Sequence, residues 1–355
     1  MEILITEIGG KAPGDPLPSI RDLIRRTGLS HQTVVRAMEA LEREGYVDLQ
    51  VGKGAFVAHR EKTLRPAHPS RCPHGTVIFA LPEFESHWAW SLLHLAEVQA
   101  VRGGHGLVTF RLDPGSTWEE LRAYMSEEKS LRGALVLPPA SLFNENDQAF
   151  LDSLPVPVVS LLPLLRTWPN LRSVSGEAEQ TGRLMAEALL DKGHRRLAFL
   201  RHQPSIEVQR GWERGMRQAL DARGLDASAL RLWGEVIPDW KDSMAEAQRL
   251  TEAQIQRGLE GVTGILYSTS LGALAGSRAL LAAGFQIPED LSVIGSTHHP
   301  LLSYTTPTIA HTRGDWEAAM PVAFSMIRGE DASRHFWVES RLVAGESLGA
   351  APSAR

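Results

Sequence analysis

Apolar positions along the chain fall into two regimes that meet near residue 60. In the first, Ile20, Leu23 and Ile24 share one helical face, Ser19 stands where a helix cap is needed, Asp22 falls in the first turn and Gly28 stops the run. Ser30 caps a second helix, predicted from His31 to about Glu44. Val34, Met38 and Leu41 lie on its inner face and Gln32, Arg36 and Arg43 on the opposite one, with Gly45 as the stop. Val47, Leu49 and Val51 then alternate with polar residues as a strand does. Gly52-Lys53-Gly54 supplies a tight turn, and Phe56-Val57 begins a return strand. Two short helices about a glycine-containing turn, followed by a hairpin, predict a winged helix-turn-helix.

Residues 61–75 carry prolines and charges without an apolar period and predict an extended linker. Beyond it, short apolar runs alternate with helical patterns. Strands are predicted at 77–81, 107–110, 134–137, 156–161, 197–200, 263–267 and 292–294, and helices at 88–102, 117–128, 178–192, 207–223, 243–257 and 271–283. Buried strands alternating with helices predict parallel sheets covered on both faces, hence an α/β fold. The length of 76–349 suits two lobes better than one open sheet, with a ligand cleft at the carboxyl ends of the strands. Ala350 to Arg355 reads as a frayed tail.

Composition narrows the function. The single cysteine, Cys72, allows no intramolecular disulfide, which fits a cytoplasmic location. No run of about 18 apolar residues is present, so no membrane span is expected. The net charge of -5, with eight Lys or Arg against eight Asp or Glu in residues 1–60, means that attraction to a polyanion must come from charge arranged on one face. The second helix supplies such a face. An α-helix fits the major groove of double-stranded DNA, and His31, Gln32 and Thr33 stand at its N-terminal end with Arg36 one turn on. Gln pairs with adenine, and Arg with guanine or phosphate. Ser19 and Ser30 place helix N-termini where backbone N–H groups meet phosphates, and Lys53 at the wing tip reaches a phosphate or the minor groove. No P-loop, H-E-x-x-H or G-x-G-x-x-G signature is present, so an enzyme on this fold is a remote alternative, and no cofactor is implied.

The segments Gly14–Leu23, Gly28–Met38, Leu41–Val47 and Gly52–Val57 closely resemble the GntR-family winged helix. That resemblance implies DNA contacts from Arg21, from Ser30, His31, Gln32, Thr33 and Arg36 at the start of the second helix, and from the wing at Gly52, Lys53 and Gly54. The family commonly has Arg where His31 stands and often Arg or Lys at Val35. The first helix of the pattern looks short and begins almost at Met1, an expectation that the natural start lies upstream.

Residues 76–349 resemble the effector domain of the LacI/GalR family, which has the periplasmic-binding-protein fold. The clearest matches are Leu189–Ala198 and Gly284–Gly295, with weaker ones at Thr305–Ile309 and Glu339–Val343. The likeness implies three crossings between lobes, one lobe taking about 76–171 and 299–330 and the other about 172–298 and 331–349. It also implies a homodimer on a DNA operator and a repressor relieved by a small molecule such as a sugar.

The ligand positions depart from the family. Its Arg three residues before Gly215-Met216 is Trp212 here, with Arg210 two residues earlier. Its Asn-Asp pair is Thr269-Ser270, and its Gly-Phe-Asp-Asp motif is Gly295-Ser296-Thr297-His298. An acidic residue remains at Glu177, and Asp239-Trp240 falls near a sugar-stacking aromatic of some relatives. Trp88, Trp90, Trp212 and Trp240 offer flat faces for a sugar, with core packing as the alternative for each. A metal at His298-His299 is not expected, because adjacent histidines on extended chain diverge and no acidic cluster joins them. His194 is expected to be structural, at a helix end. The expected effector-binding set is therefore Trp88, Glu177, Arg210, Trp212, Trp240, Ser270 and Thr297. The competing view is a large domain that has lost its effector and only dimerises the DNA reader.

Overall fold

The computed structural model describes residues 14–43, 47–50, 54–57, 72–82, 86–112, 118–139, 143–204, 206–235, 237 and 242–352. The chain separates into two compact units, Met1–Arg71 and Cys72–Arg355. Gly52, Lys53, Trp240, the side chain of Arg43 and the linker up to residue 71 lie outside the described residues.

In the small unit, α1 (Ile20–Thr27) and α2 (His31–Arg43) precede a hairpin of β1 (Val47–Gln50) and β2 (Gly54–Val57), paired antiparallel with Val47 opposite Val57 and Gln50 opposite Gly54. The Ser19 hydroxyl accepts the Asp22 N–H at 3.2 Å and donates to its carboxylate at 2.7 Å. Gly28 ends α1 at φ 68°, a left-handed conformation that glycine adopts at little cost, and its N–H closes on the Ile24 carbonyl. Leu17, Leu23, Val34, Met38, Leu41, Val47 and Val57 form the core, so both helices and the hairpin are packed as one body.

The large unit contains two six-stranded sheets. The first has the order β13-β7-β6-β5-β3-β4, made of β3 (Thr76–Pro82), β4 (Gly106–Leu112), β5 (Leu131–Val136), β6 (Val158–Ser160), β7 (Arg172–Gly176) and β13 (His335–Val338). The second has the order β14-β12-β11-β10-β8-β9, from β8 (Leu197–Leu200), β9 (Leu230–Trp233), β10 (Gly264–Tyr267), β11 (Ser292–Gly295), β12 (Ala310–Gly314) and β14 (Ser340–Val343). All neighbours run parallel except β12 and β14.

The inner strands bury both faces, and period two decides which helices each meets. On β3, Val77, Phe79 and Leu81 pack against α3 (His87–Arg102) and α10 (Trp316–Arg328), while Ile78 and Ala80 face α4 (Trp118–Glu127) and α5 (Glu145–Asp152). On the second sheet, Leu197 and Phe199 meet α6 (Ala178–Asp191) and α7 (Ile206–Asp221), and Ala198 and Leu200 meet α8 (Ser243–Gln256) and α9 (Ser270–Ala282).

The lobe boundaries differ from those expected. There are three crossings, but β7 still belongs to the first sheet, β12 to the second and β13 to the first again, so the chain crosses at about 177, 315 and 339 rather than at 171, 298 and 330. β7, β12 and β14, which adjoin the crossings, are short and largely polar, so no long apolar run marks them. Residues 72–75 also belong to the large unit rather than the linker, since His74 N–H bonds Gly104 O and Gly106 N–H bonds Gly75 O. The start of the presumed tail is tied down, with Ala351 N–H on Lys192 O at 2.8 Å and Gly349 N–H on Ser292 Oγ at 3.0 Å. His194 is structural, but as a buried tie between strand starts rather than a cap. Its ring lies 2.9 Å from Thr263 Oγ1 and 3.0 Å from Ser292 Oγ.

Helices α6 and α7 cross at glycines. A Cβ on Gly215 would lie 1.9 Å from Glu179 O, and one on Gly182 would lie 2.0 Å from Trp212 O, both backbone atoms that cannot yield without parting the helices. Gly215→Ala is expected to cost about 1–3 kcal/mol. All nine tryptophans lie between Trp88 and Trp337, so urea unfolding followed by tryptophan fluorescence reads this unit alone. An unchanged midpoint would refute the close-crossing argument.

Candidate functional site

The exposed surface of the small unit carries the expected DNA-contacting side chains. Arg21, Ser30, His31, Gln32, Thr33 and Arg36 are all exposed, as is Gly54. Those on α2 face outward because Val34, Met38 and Leu41 pull the opposite side of that helix into the core. Ser30 fixes the start of α2, its hydroxyl accepting the Thr33 N–H at 3.2 Å and lying 2.8 Å from the Thr33 hydroxyl. Neither Arg21 nor Arg36 is held in an ion pair among the described residues, so both guanidiniums are available.

The large unit has a cavity of about 1170 Å³ at the carboxyl ends of both sheets. Its first wall is apolar. Leu112, Pro139, Leu161, Leu162 and Pro163 end or follow strands of the first sheet, and Trp88 and Trp90 project from α3. Trp88 is braced edge-on by Trp316, with ring centroids 5.7 Å apart. The second wall is polar, built from Gln209, Ser268, Thr269, Ser270, Ser296, Thr297 and His298.

A buried network sets that polar wall. His202 donates its Nδ1–H to Leu200 O at 3.1 Å, because a carbonyl only accepts. Its Nε2 therefore accepts from Thr269 Oγ1 at 3.1 Å, while the same Thr269 oxygen caps α9 by accepting the Gly272 N–H at 2.9 Å. Burial holds the His202 pKa down to about 4, so the ring is neutral at neutral pH. Ser268 Oγ donates to Leu200 O at 2.8 Å, and Gln209 Nε2 to Gln203 O at 2.6 Å. Ser270 Oγ has no partner among the described residues, although the residue is 1% exposed and lines the cavity. Thr297 is held at φ 66°, a strained conformation for a β-branched residue, of the kind that clusters at ligand sites.

Full charges on the described lining are Asp242, Arg313 and Glu317, and each is already engaged. Asp242 caps α8 by accepting the Met244 and Ala245 N–H groups, and Arg313 Nη2 donates to Glu317 Oε1 at 2.5 Å.

Of the expected effector residues, the structure brings Trp88, Trp212, Ser270 and Thr297 together on the cavity wall. Glu177 and Arg210 are not there. Glu177 is exposed at the first crossing, off the wall, and Arg210 is exposed on α7, paired with Glu207 at 2.9 Å. Arg210 thus does not take the place of the family's arginine, because two helical positions from Trp212 turn it to another face. Trp240 lies outside the described residues. Sequence reasoning missed Gln209, Thr181, Arg313 and Trp316. The last two come from the second crossing, which no motif marks. No group of three or more potential metal-ligating side chains is present among the described residues.

A DNA-reading winged helix on a chain with a sensing cleft defines a transcription regulator of the DNA-binding, effector-responsive class. Residues 169–348 match the family described as periplasmic binding protein-like domain, and residues 8–57 match the bacterial regulatory proteins of the gntR family. The chain belongs to the periplasmic binding protein-like domain family and carries a gntR-type DNA-binding domain. It is 21% identical over 297 residues to the ribose operon repressor of Halalkalibacterium halodurans, covering 82% of this chain and 84% of the relative. The fold is also that of the transcriptional regulator CelR–cellobiose complex (TM-score 0.64, 21% identity, 93% of this chain and 100% of that one). It is likewise that of the lac repressor dimer bound to operator and the anti-inducer ONPF (TM-score 0.63, 17% identity, 78% and 94%). These relatives are transcription regulators, not enzymes. No helix among the described residues is long and apolar enough to cross a membrane.

Proposed function

We propose that this protein is a repressor that binds a palindromic DNA operator as a homodimer and is released by an uncharged, hydroxyl-rich small molecule, a sugar, held in the cleft. The observation that carries the ligand class is the character of the cavity. One wall is aromatic and apolar, the other is a row of hydroxyls and amides, and the charges present are engaged with the protein. Stacking on one side and hydrogen bonds on the other suit a sugar ring. A charged effector would find no free countercharge on the described wall. The repressor of a ribose operon and the cellobiose complex among the relatives support the same class.

The test is thermal unfolding with D-ribose, D-glucose, sucrose, cellobiose and, as a charged control, D-glucuronate. A sugar at 100 times its Kd adds about 2.7 kcal/mol, or roughly 5–10 °C in Tm, and the same sugar is expected to lower operator affinity about 5- to 150-fold. DNA binding that persists with no response to any neutral sugar would instead favour a large domain serving only dimerisation.

A further inference from the structure

Deepening the sugar-cleft reading, on which it rests, we infer that His298 is a specificity-determining residue that presents its Nε2 lone pair to a ligand hydroxyl, held in that tautomer by His311.

The assignment follows from which atoms can donate. His311 on β12 is 3% exposed, and its Nδ1 lies 2.8 Å from Ile309 O. A carbonyl has no proton to give, so His311 carries its hydrogen on Nδ1, and in the neutral ring Nε2 is then an acceptor. His298 Nδ1 lies 2.9 Å from that Nε2, with the two ring planes inclined by only 29° and their centroids 5.1 Å apart, as an in-plane N–H···N bond requires. His298 must therefore be the donor through Nδ1–H, which leaves its Nε2 as a lone pair. That atom makes no hydrogen bond among the described residues, and His298 lines the cavity. The relay runs from a strand carbonyl through two imidazoles to the cleft and ends in an acceptor. It thus selects a ligand that donates an O–H at this point and disfavours one that offers only acceptors, a carboxylate above all.

The groups facing His298 are His311 and Arg313 from β12, Glu317 from α10 and its neighbour His299, which in turn packs edge-on against His87 of α3. Burial, His311 and Arg313 all hold the His298 proton affinity below the ordinary histidine value, with Glu317 opposing weakly, so the ring is neutral at pH 7. Acidification adds a proton at Nε2, the one free nitrogen, and turns the acceptor into a donor without breaking the bond to His311.

The experiment measures sugar affinity of the full chain by tryptophan fluorescence between pH 8 and pH 5, using the neutral sugar that stabilises it best. Wild-type affinity is expected to fall about tenfold on acidification, below the ordinary histidine range, and His298→Ala to lose about tenfold at pH 8. His298→Gln, whose amide oxygen accepts near the Nε2 position without titrating, is expected to bind with a flatter pH profile than wild type. Long-range ¹H–¹⁵N spectra should show both His298 and His311 protonated at Nδ1 at pH 8, with signals assigned by their loss in His298→Gln and His311→Gln. A wild-type profile that matches that of His298→Gln, or an Nε2–H tautomer at His298, overturns the inference alone. Absence of binding by any neutral sugar at any pH overturns both it and the sugar-cleft reading.

Discussion

Gln32→Ala is expected to erase base preference at one position of each operator half-site and to weaken the specific complex by about 1–3 kcal/mol per half-site. Two readers related by a two-fold axis meet the change twice, so a palindromic site loses about 2–6 kcal/mol in all. The expectation rests on the placement of Gln32 in the first turn of α2, exposed beside His31 and Thr33, while the far side of the helix is locked into the core by Val34, Met38 and Leu41. Ser30 adds to this by fixing where the helix starts. Selection on random DNA with wild type and variant decides the matter. Recovery of the same motif by both, with equal affinity, means that Gln32 does not read a base. Binding to unrelated DNA should change little, since that component comes from phosphate contacts such as those expected of Arg21 and Arg36.

The second large effect is the loss of stability of the cleft domain in mild acid. His202 is fully buried, and its pKa is held near 4, whereas an unfolded chain has an ordinary histidine near 6.5. As pH falls, the unfolded state therefore takes up the proton first. Stability is complete above about pH 6.5, declines through the interval down to about pH 4, and is constant below it as far as this group is concerned. The full change is on the order of 3 kcal/mol. Burial also lowers the affinities of His194, His311 and His335 for protons, and these act in the same direction. Urea titrations at several pH values, followed by tryptophan emission, give the slope for this unit. His202→Gln retains a donor and an acceptor but cannot titrate, so its slope should be shallower whatever its absolute stability. Equal slopes for the two proteins would reject the assignment to His202.

Much of this architecture is legible in the chain because burial and periodicity coincide. Ile20, Leu23 and Ile24, the Ser19 cap and Gly28 mark α1 as it stands, and the apolar run Val77–Leu81 is the centre of β3. Legibility fails where a strand is short, polar or at an edge. β7 reads Arg-Ser-Val-Ser-Gly, β12 Ala-His-Thr-Arg-Gly and β14 Ser-Arg-Leu-Val, none of which resembles a buried run, and α10 has Pro321 inside it. Those elements carry the crossings, so the sequence pattern places the lobe boundaries elsewhere. The site divides in the same way. Trp212, Ser270 and Thr297 sit at motif positions next to confident elements and reach the cavity, whereas Arg313 and Trp316 arrive from elements that pattern does not reveal. Glu177 and Arg210 show the converse. Their residue types suit a sugar site, but Glu177, the extended N-cap residue of α6, is exposed off the wall, and Arg210 is turned to another face of α7.

The three passages between lobes have a mechanical meaning. Gly176 and Ala178, Arg313 and Gly314, and Val338 and Ser340 flank the passages, and all six line the cavity. The floor of the cleft is thus formed by the segments that join the lobes. A molecule seated there would touch the backbone about which the lobes would swing, so occupancy and opening angle would be coupled at the pivot itself, without a relay through either domain core. Substitutions at Gly176 or Gly314 would change how stiffly the domain bends, and hence how strongly a bound effector is felt, even where they leave the hydrogen-bonding wall untouched.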